Sequence, residues 1–145
     1  MAAAASTPFT NMRFRVDIDD MKGTGAVEVI LPNARRESGP GGKQATQFGT
    51  LTLRRGLTGS SEWYDWWVEA QGSARGVERS VRVVLLDERG TDAIGWTLQG
   101  AVPIGYAVSS LNALGNEPVI ESLELRVKGF EAAFGPAPNK GRKRG

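Results

Sequence analysis

The sequence predicts a mainly β fold: an antiparallel β-barrel or sandwich with one α-helix at about residues 60–71 packed on the sheet. Residues 9–18 and 119–128 alternate apolar and polar side chains, which is the pattern of a half-buried strand. Residues 60–71 form the one stretch whose apolar residues recur at helical spacing. The 19 glycines favour turns and short strands over long helices. Short strands on both sides of a single helix indicate a layered antiparallel architecture.

Three strands are predicted before the helix, over residues 9–18, 26–31 and 48–55. Each is bounded by glycine, proline or charged residues that favour turns. The residues expected to face the interior are Met12, Phe14, Val16, Ile18, Val27, Val29, Leu31, Leu51 and Leu53.

A long irregular loop is expected at residues 32–47, where Pro32 is followed by NARRESGPGGKQATQ. Loops of this length inside a compact domain are usually functional or disordered. Two interpretations remain open: a mobile surface loop, or an arm that becomes ordered on a neighbouring subunit.

The helix has an N-cap candidate in Ser60 or Ser61, and acidic residues in its first turns suit the helix dipole. Its apolar stripe consists of Trp63, Trp66, Trp67 and Ala70. Packing of the tryptophans against the core is predicted, because an amphipathic helix must bury this stripe. The alternative is a platform on which a sugar or a nucleic-acid base stacks, which requires exposed tryptophans.

The second half of the chain contains the remaining strands. Residues 77–86 are more continuously apolar than the other predicted strands, which indicates a strand that is central or covered on both faces. Residues 94–98 return beside it as a hairpin partner. Residues 101–108 are expected to be a bent or edge continuation, because a glycine and a proline interrupt the pattern. Residues 119–128 are predicted to be the last regular element.

Length and composition predict one globular domain at residues 9–134, between a flexible leader (1–8) and a flexible basic tail (135–145). Hydrophobic residues make up 40% of the chain and charged residues 23%. The net charge is +2, yet the four basic residues of the tail leave 14 basic and 16 acidic residues elsewhere. The basic isoelectric point therefore reflects the tail and is weak evidence for nucleic-acid binding.

The chain contains no cysteine and no histidine, which excludes disulfides, thiolate nucleophiles and Cys/His zinc sites. The acidic candidates Asp17, Asp19 and Asp20 lack the spacing of an EF-hand. The glycine-rich residues 39–43 lack the spacing of a phosphate-binding P-loop. Glu121 falls on the apolar face of the last strand, where an ion pair or an interface contact is a better explanation than catalysis. No enzyme activity, cofactor or metal is predicted.

No run of about 18 apolar residues is present, so no membrane-spanning helix is expected. The first residues, MAAAASTPF, lack the charged region and apolar run of a secretory signal. We therefore expect the protein to be made and folded in the cytoplasm.

Four segments in order resemble a known family: FRVDID at residues 14–19, LTLRRGLT at 51–58, VRVVLLDERG with WTLQGAVP at 81–103, and LNALGNEPVIESLELRVKGFE at 111–131. They are similar to the tail-tube proteins of contractile phages and of phage-tail-like contractile injection systems. That family is related in fold to the haemolysin-coregulated protein of type VI secretion. Two departures are Pro118 and Gly100, which stand where the family usually has valine and asparagine.

The resemblance implies a structural subunit that forms hexameric rings, which stack into a hollow inner tube through which cargo passes. Its implied partners are other copies of itself, a contractile sheath protein, baseplate or spike hub proteins, and cargo or DNA in the lumen, without a membrane. Assembly is implied in the bacterial cytoplasm, in a virion tail or in an extracellular or cytoplasmic injection particle.

The resemblance also implies a set of contacts between subunits. The expected interface residues are Pro32, Arg35, Arg36, Gly39, Pro40, Gly41, Lys43, Asn116, Glu117 and Glu121. Two alternatives remain open: a paralogue forming the first ring between spike and tube, and a monomeric β-sandwich that binds a ligand through its tryptophans.

Overall fold

The computed structural model describes residues 8–10, 13–21, 24–72 and 77–135. It confirms a mainly antiparallel β fold with a single helix among these residues. The elements are β1 (Phe14–Ile18), β2 (Ala26–Ile30), β3 (Ala34–Ser38), β4 (Gln44–Phe48), β5 (Thr50–Gly56), α1 (Glu62–Gly72), β6 (Arg79–Leu86), β7 (Asp92–Val108), β8 (Ile120–Arg126) and β9 (Gly129–Phe134).

Strand β7 is 17 residues long and belongs to both layers of the fold. Its first half pairs with β6 on one side and β9 on the other, and β1 adds to β6; we call these strands layer A. Its second half pairs with β8, which is followed across the sheet by β5 and β2; we call these strands layer B. The prediction that residues 101–108 form a bent continuation of the strand at 94–98 is confirmed, because both segments belong to β7.

The bend between the two halves of β7 contains Gly100, whose φ is +63°. L-residues with a side chain rarely adopt this backbone conformation. The side chain of Lys128 lies directly against Gly100, and the Lys128 amide donates a 2.8 Å hydrogen bond to the carbonyl of Gln99. The junction between β8 and β9 therefore follows β7 through the same bend.

One hydrophobic core fills the space between the two layers, and α1 packs against β7. The period-two pattern of the sequence accounts for most of the core, because alternate strand residues point to the same side. The buried apolar side chains are Val16, Ile18, Met21, Leu51, Leu53, Trp63, Trp66, Val81, Val83, Val84, Leu98, Ala101, Val102, Leu123, Leu125 and Val127.

The prediction of an irregular loop at residues 32–47 is wrong. Strands β3 and β4 form a hairpin, joined by a 3-10 turn at Pro40–Gly42. Both of its faces are exposed except around its base, so no apolar alternation marks these strands in the sequence. The hairpin is defined by its backbone hydrogen bonds, and a search for hydrophobic periodicity in the sequence therefore does not detect it.

Two further predictions need correction. Val27 is 61% exposed rather than buried, because a β-bulge between Ala26 and Glu28 shifts the phase of β2. The strand at 119–128 is not the last element, since β9 follows it and pairs with the first half of β7. Only three residues separate Arg126 from Phe130, and a break this short resembles a continuous strand in the sequence.

Helix α1 begins after Ser61, whose carbonyl accepts a 2.7 Å hydrogen bond from the Asp65 amide. The Ser61 hydroxyl donates to the Asp65 carboxylate at 2.8 Å. The helix therefore begins at the position expected from the sequence, with the Ser61 hydroxyl bonded to the Asp65 carboxylate instead of accepting from a first-turn amide. Within the described residues, no helix is both long and apolar enough to cross a membrane.

We predict that Gly100→Ala lowers the free energy of unfolding by about 1–2 kcal/mol, because alanine disfavours positive φ. Urea unfolding followed by circular dichroism measures the change. Gly59→Ala is the matched control, since open space surrounds Gly59 and its φ is not positive. Equal effects of the two substitutions would contradict the assignment of Gly100 as a strained bend.

Candidate assembly site

Layer B leaves an unpaired strand at each of its edges. Its order is β2–β5–β8–β7, and the second half of β7 pairs with β8 on one side only. Strand β2 pairs with β5 on one side only. Within the described parts of the chain, no other strand covers either edge. Such edges present free backbone donors and acceptors that another chain can pair with.

The two open edges are complementary in direction. All three pairings in layer B are antiparallel, so β2 and the second half of β7 run in opposite directions. A neighbouring copy placed edge to edge in the same orientation would continue the antiparallel alternation. Contacts of this head-to-tail kind close into a ring when their rotation is a simple fraction of a turn.

The outer face of layer B is polar and carries both signs of charge. Arg54 and Glu28 form an exposed ion pair on it, with 2.8 Å between Nη1 and Oε1. The residues of this face on the two central strands are Thr50, Thr52, Arg54, Ser122, Glu124 and Arg126. A sheet with such a face is suited to contact water on that side.

The inner face of layer B contains a buried charge cluster. Arg55 Nε donates to Glu121 Oε1 at 2.7 Å, and the Arg55 and Glu121 side chains are 7% and 1% exposed. Arg55 Nη1 also donates to the carbonyl of Thr24 at 3.1 Å. The position of Glu121 on the apolar face of its strand predicts that it pairs with a basic residue or lies at a subunit interface. The carboxylate is enclosed within the protomer and offers no surface for a contact between subunits.

Aromatic residues complete this cluster beneath α1. The Tyr106 hydroxyl donates to Glu121 Oε2 at 2.6 Å, and the guanidinium carbon of Arg55 lies 4.2 Å from the ring centroid of Trp63. Burial and the hydrogen bond to Glu121 raise the pKa of Tyr106 to about 12. Tyr64 of α1 packs edge-on against the Tyr106 ring. The cluster therefore joins β5, β8, β7 and the helix.

The partners of Glu121 are not among the residues predicted from the sequence, although the sequence contains a signal for Arg55. Arg55 continues the two-residue period of Leu51 and Leu53, just as Glu121 continues that of Leu123 and Leu125. Two opposite charges that extend two buried stripes on neighbouring strands indicate an internal ion pair. Nothing local in the sequence marks the contribution of Tyr106, which depends on the path of β7.

Apart from the buried Glu121, the expected interface residues fall into two groups at opposite ends of layer B. One group belongs to the hairpin β3–β4, which leaves the end of β2 and returns at the start of β5. The other group, Asn116 and Glu117, lies in the exposed loop 109–119 beside the end of β5, where the Leu57 amide donates to the carbonyl of Val119.

Within the hairpin group, Arg35, Arg36, Pro40, Gly41 and Lys43 are exposed, Gly39 is half-buried, and Pro32 is buried at the base. Gly41 has a φ of +75°, which departs from 3-10 geometry and which glycine adopts without a steric penalty. Phe48 anchors the hairpin base by stacking on Phe130, with ring centroids 6.3 Å apart.

The tryptophans of α1 face the core rather than solvent. Trp63 and Trp66 are fully buried, and Trp67 is partly buried against the same core. Trp66 Nε1 donates to the carbonyl of Val77 at 2.7 Å. A ligand has no access to the faces of Trp63 and Trp66 in this arrangement. In the described residues, no group of three or more acidic side chains converges on a possible metal position.

A mainly β protomer with two open, oppositely directed edges and a separate two-stranded hairpin has the architecture of a subunit that can pair edge to edge with further copies. The chain belongs to the family of the T4-like virus tail tube protein gp19, whose family model matches residues 10–131. This confirms the resemblance found in the sequence. No curated protein sequence matches the chain.

Solved structures share the fold. A chain in the sheath–tube complex of the extracellular contractile injection system PVC in its extended state is similar with a TM-score of 0.69 and 19% identity, covering 92% of this chain and 96% of that one. A chain of the anti-feeding prophage baseplate gives 0.66 and 22%, with coverage of 89% and 97%. Hcp1 from Flavobacterium johnsoniae gives 0.62 and 14%, with coverage of 87% and 98%.

We predict that Glu121→Gln lowers the free energy of unfolding by about 3 kcal/mol, because it leaves the buried Arg55 charge without a counter-ion. Glu124→Gln on the exposed face of β8 is the control, with an expected change within about 0.5 kcal/mol. The double variant Arg55→Met/Glu121→Leu should recover much of the loss, since it removes both charges. Chemical unfolding of all three variants provides the comparison.

We predict that one of the two tyrosines titrates near pH 12 in the folded protein and near pH 10 in urea. The folded pKa of Tyr106 lies above its unfolded value, so its stabilising effect is complete below pH 10 and is lost as pH rises through about 12. Ultraviolet absorbance of tyrosinate measures the titration. Tyr106→Phe should remove the upper transition, and its persistence in that variant would assign the shift elsewhere.

Proposed function

We propose that this chain is the inner-tube subunit of a contractile injection particle or phage tail, forming rings of six copies that stack into a hollow tube. The observation that carries the proposal is the pair of open, oppositely directed edges of layer B. Pairing β2 of one copy with the second half of β7 of the next satisfies both edges and closes the sheet into one large barrel. Membership of the tail tube family supports this role.

Layer B has one apolar and one polar face, and this difference is compatible with a ring that encloses a water-filled lumen. Leu51 and Leu53 point into the protomer core, whereas Thr52 and Glu124 point outward on neighbouring strands. We assign the polar face to the lumen, where cargo or DNA would pass along a hydrated wall of mixed charge. The role is structural and needs no catalytic group.

The outer surface of the particle would then be formed partly by α1. Its exposed side carries Asp65 and Glu69 around Tyr64 and Val68, and the helix contains no basic residue. A basic surface of a sheath protein would complement this face. The similar PVC chain comes from a sheath–tube complex and the anti-feeding prophage chain from a baseplate, which supports sheath and baseplate proteins as partners.

The hairpin β3–β4 is proposed to hold adjacent subunits or rings together. It forms a separate two-stranded sheet whose side chains contact little of their own protomer beyond the base. A two-stranded hairpin is marginally stable by itself. Seating on a neighbouring copy would stabilise it.

We predict that replacing residues 36–46 with Asn-Gly abolishes stacked tubes but leaves a folded protomer. Arg35 and Gln47 are paired across the hairpin, so a two-residue turn can join them. Negative-stain microscopy and light scattering measure assembly, and circular dichroism measures folding. Ala45→Ser keeps the hairpin length, lies at an exposed position of β4 outside the expected interface residues, and serves as the control. Tubes formed by the shortened variant would contradict the role of the hairpin, and a strictly monomeric wild-type protein would contradict the proposed function.

A further inference from the structure

Two opposite charges, Arg54 of β5 and Glu124 of β8, are diagonal neighbours on the outer face of layer B. Thr52 pairs with Glu124 in the strand register, and Arg54 pairs with Ser122. Long side chains at diagonal positions are within reach of each other. In the described part of the chain, however, no ion pair joins Arg54 to Glu124. Each side chain extends away from the other, toward an opposite open edge of the layer.

Arg54 extends toward the open edge formed by β2. Its Nη1 donates to Glu28 Oε1 at 2.8 Å, and Glu28 lies beside it on β2. The Arg54 and Glu28 side chains are 41% and 50% exposed. An arginine carries five N–H groups in a planar fork, so a guanidinium that binds one carboxylate retains donors for a second. Arg54 therefore offers a binding position for a carboxylate at this edge.

Glu124 extends toward the open edge formed by the second half of β7. Its carboxylate lies directly over Gly105, its cross-strand partner, because a Cβ atom at Gly105 would come within 2.7 Å of Glu124 Oε1. The φ of Gly105 is not positive, so what the glycine provides here is room for the carboxylate. Among the residues that the structure describes, no basic side chain forms an ion pair with Glu124.

Edge pairing between two copies brings these charges together. We call the line where β2 of one copy meets the second half of β7 of the next the seam. Sheet faces continue across paired strands, and Glu28 and Gly105 both belong to the outer face of layer B. In the register that sets Gly105 opposite Glu28, one strand spacing of about 4.8 Å separates the strand positions toward which the carboxylate and the guanidinium extend.

Charge complementarity also selects how the two edges align. Backbone hydrogen bonds alone specify the register of a strand pair weakly when side chains add no preference. A slip of two residues along the seam would move Glu124 about 7 Å further from Arg54. Because Gly105 has no side chain, nothing stands between the two carboxylates and the guanidinium in the aligned register.

We propose that Glu124 of each copy binds Arg54 of the next copy in the ring. One guanidinium then joins Glu28 of its own chain to Glu124 of the neighbour across the seam. This inference rests on the proposed tube function and names the charge contact that sets the register of its edge pairing.

Two variant chains with one substitution each test the contact. Arg54→Glu places three carboxylates at the seam, and Glu124→Arg places two guanidinium groups there. Each variant alone should therefore form rings with an association constant at least about tenfold lower than that of the wild type. In a mixture, alternation brings the unchanged Glu124 of one variant to the unchanged Arg54 of the other, and the two substituted residues face each other. Native mass spectrometry should then detect rings that contain equal numbers of the two variants.

The mixture distinguishes a contact between copies from a contact within one chain, since neither variant contains both substitutions. The control is Glu88→Arg, the same change of charge in the exposed turn between β6 and β7. It should form rings by itself and should not bring the Arg54→Glu chain into rings in equal numbers.

Both substituted positions are on the polar face of layer B, so circular dichroism should show folded protomers. Arg54→Gln is a milder second variant, which removes the charge without adding a carboxylate beside Glu28 and should weaken the rings in the same direction.

The outcomes separate the contact from the tube function. If the single variants form rings as readily as the wild type, or if the mixture forms no rings or rings of random composition, the contact is overturned while wild-type rings leave the tube function standing. Absence of rings from the wild-type protein would overturn both.

Discussion

The structure depends on the buried ion pair between Arg55 and Glu121. It joins the two central strands of layer B at the point where α1 covers them, and Trp63 and Tyr106 enclose it from the helix and from β7. Removing two charges from water is costly, so the pair is stable only when all of these groups are in place. A displaced helix or a slipped register of β8 would leave a charge buried alone. The pair therefore selects one arrangement of helix and sheet.

That arrangement separates the two faces of layer B. The buried pair and the leucines occupy the inner face, which leaves the polar residues of β5 and β8 on the outer face. Strand β7 connects this layer to layer A by bending at Gly100, and the bend leaves its second half with an open edge. The same backbone that closes the core of one protomer thus offers an edge to the next.

Most of the core was predictable from alternation, because each strand that faces the core repeats its apolar residues every second position. The helix and its start after Ser61 were predictable because helical periodicity and the preceding serines are local features of the sequence. The hairpin β3–β4 was not predictable. Both faces of its strands are exposed to solvent, so these strands do not need the alternation of apolar residues by which a strand is recognised in a sequence. The bulge at Ala26–Glu28 was not predictable either. A bulge changes which face of the sheet the neighbouring side chains point to, but the residue types in the strand give no sign of it.

The sequence by itself determined the fold class, the family and the place of Glu121 on the apolar face of its strand, because strand periodicity and short motifs are local properties. Only the tertiary structure decided that Arg55 and Tyr106 donate hydrogen bonds to Glu121. It also decided that the expected interface residues divide between two ends of one sheet. Those outcomes depend on which strands become neighbours, and strand pairing joins residues that are far apart in the chain.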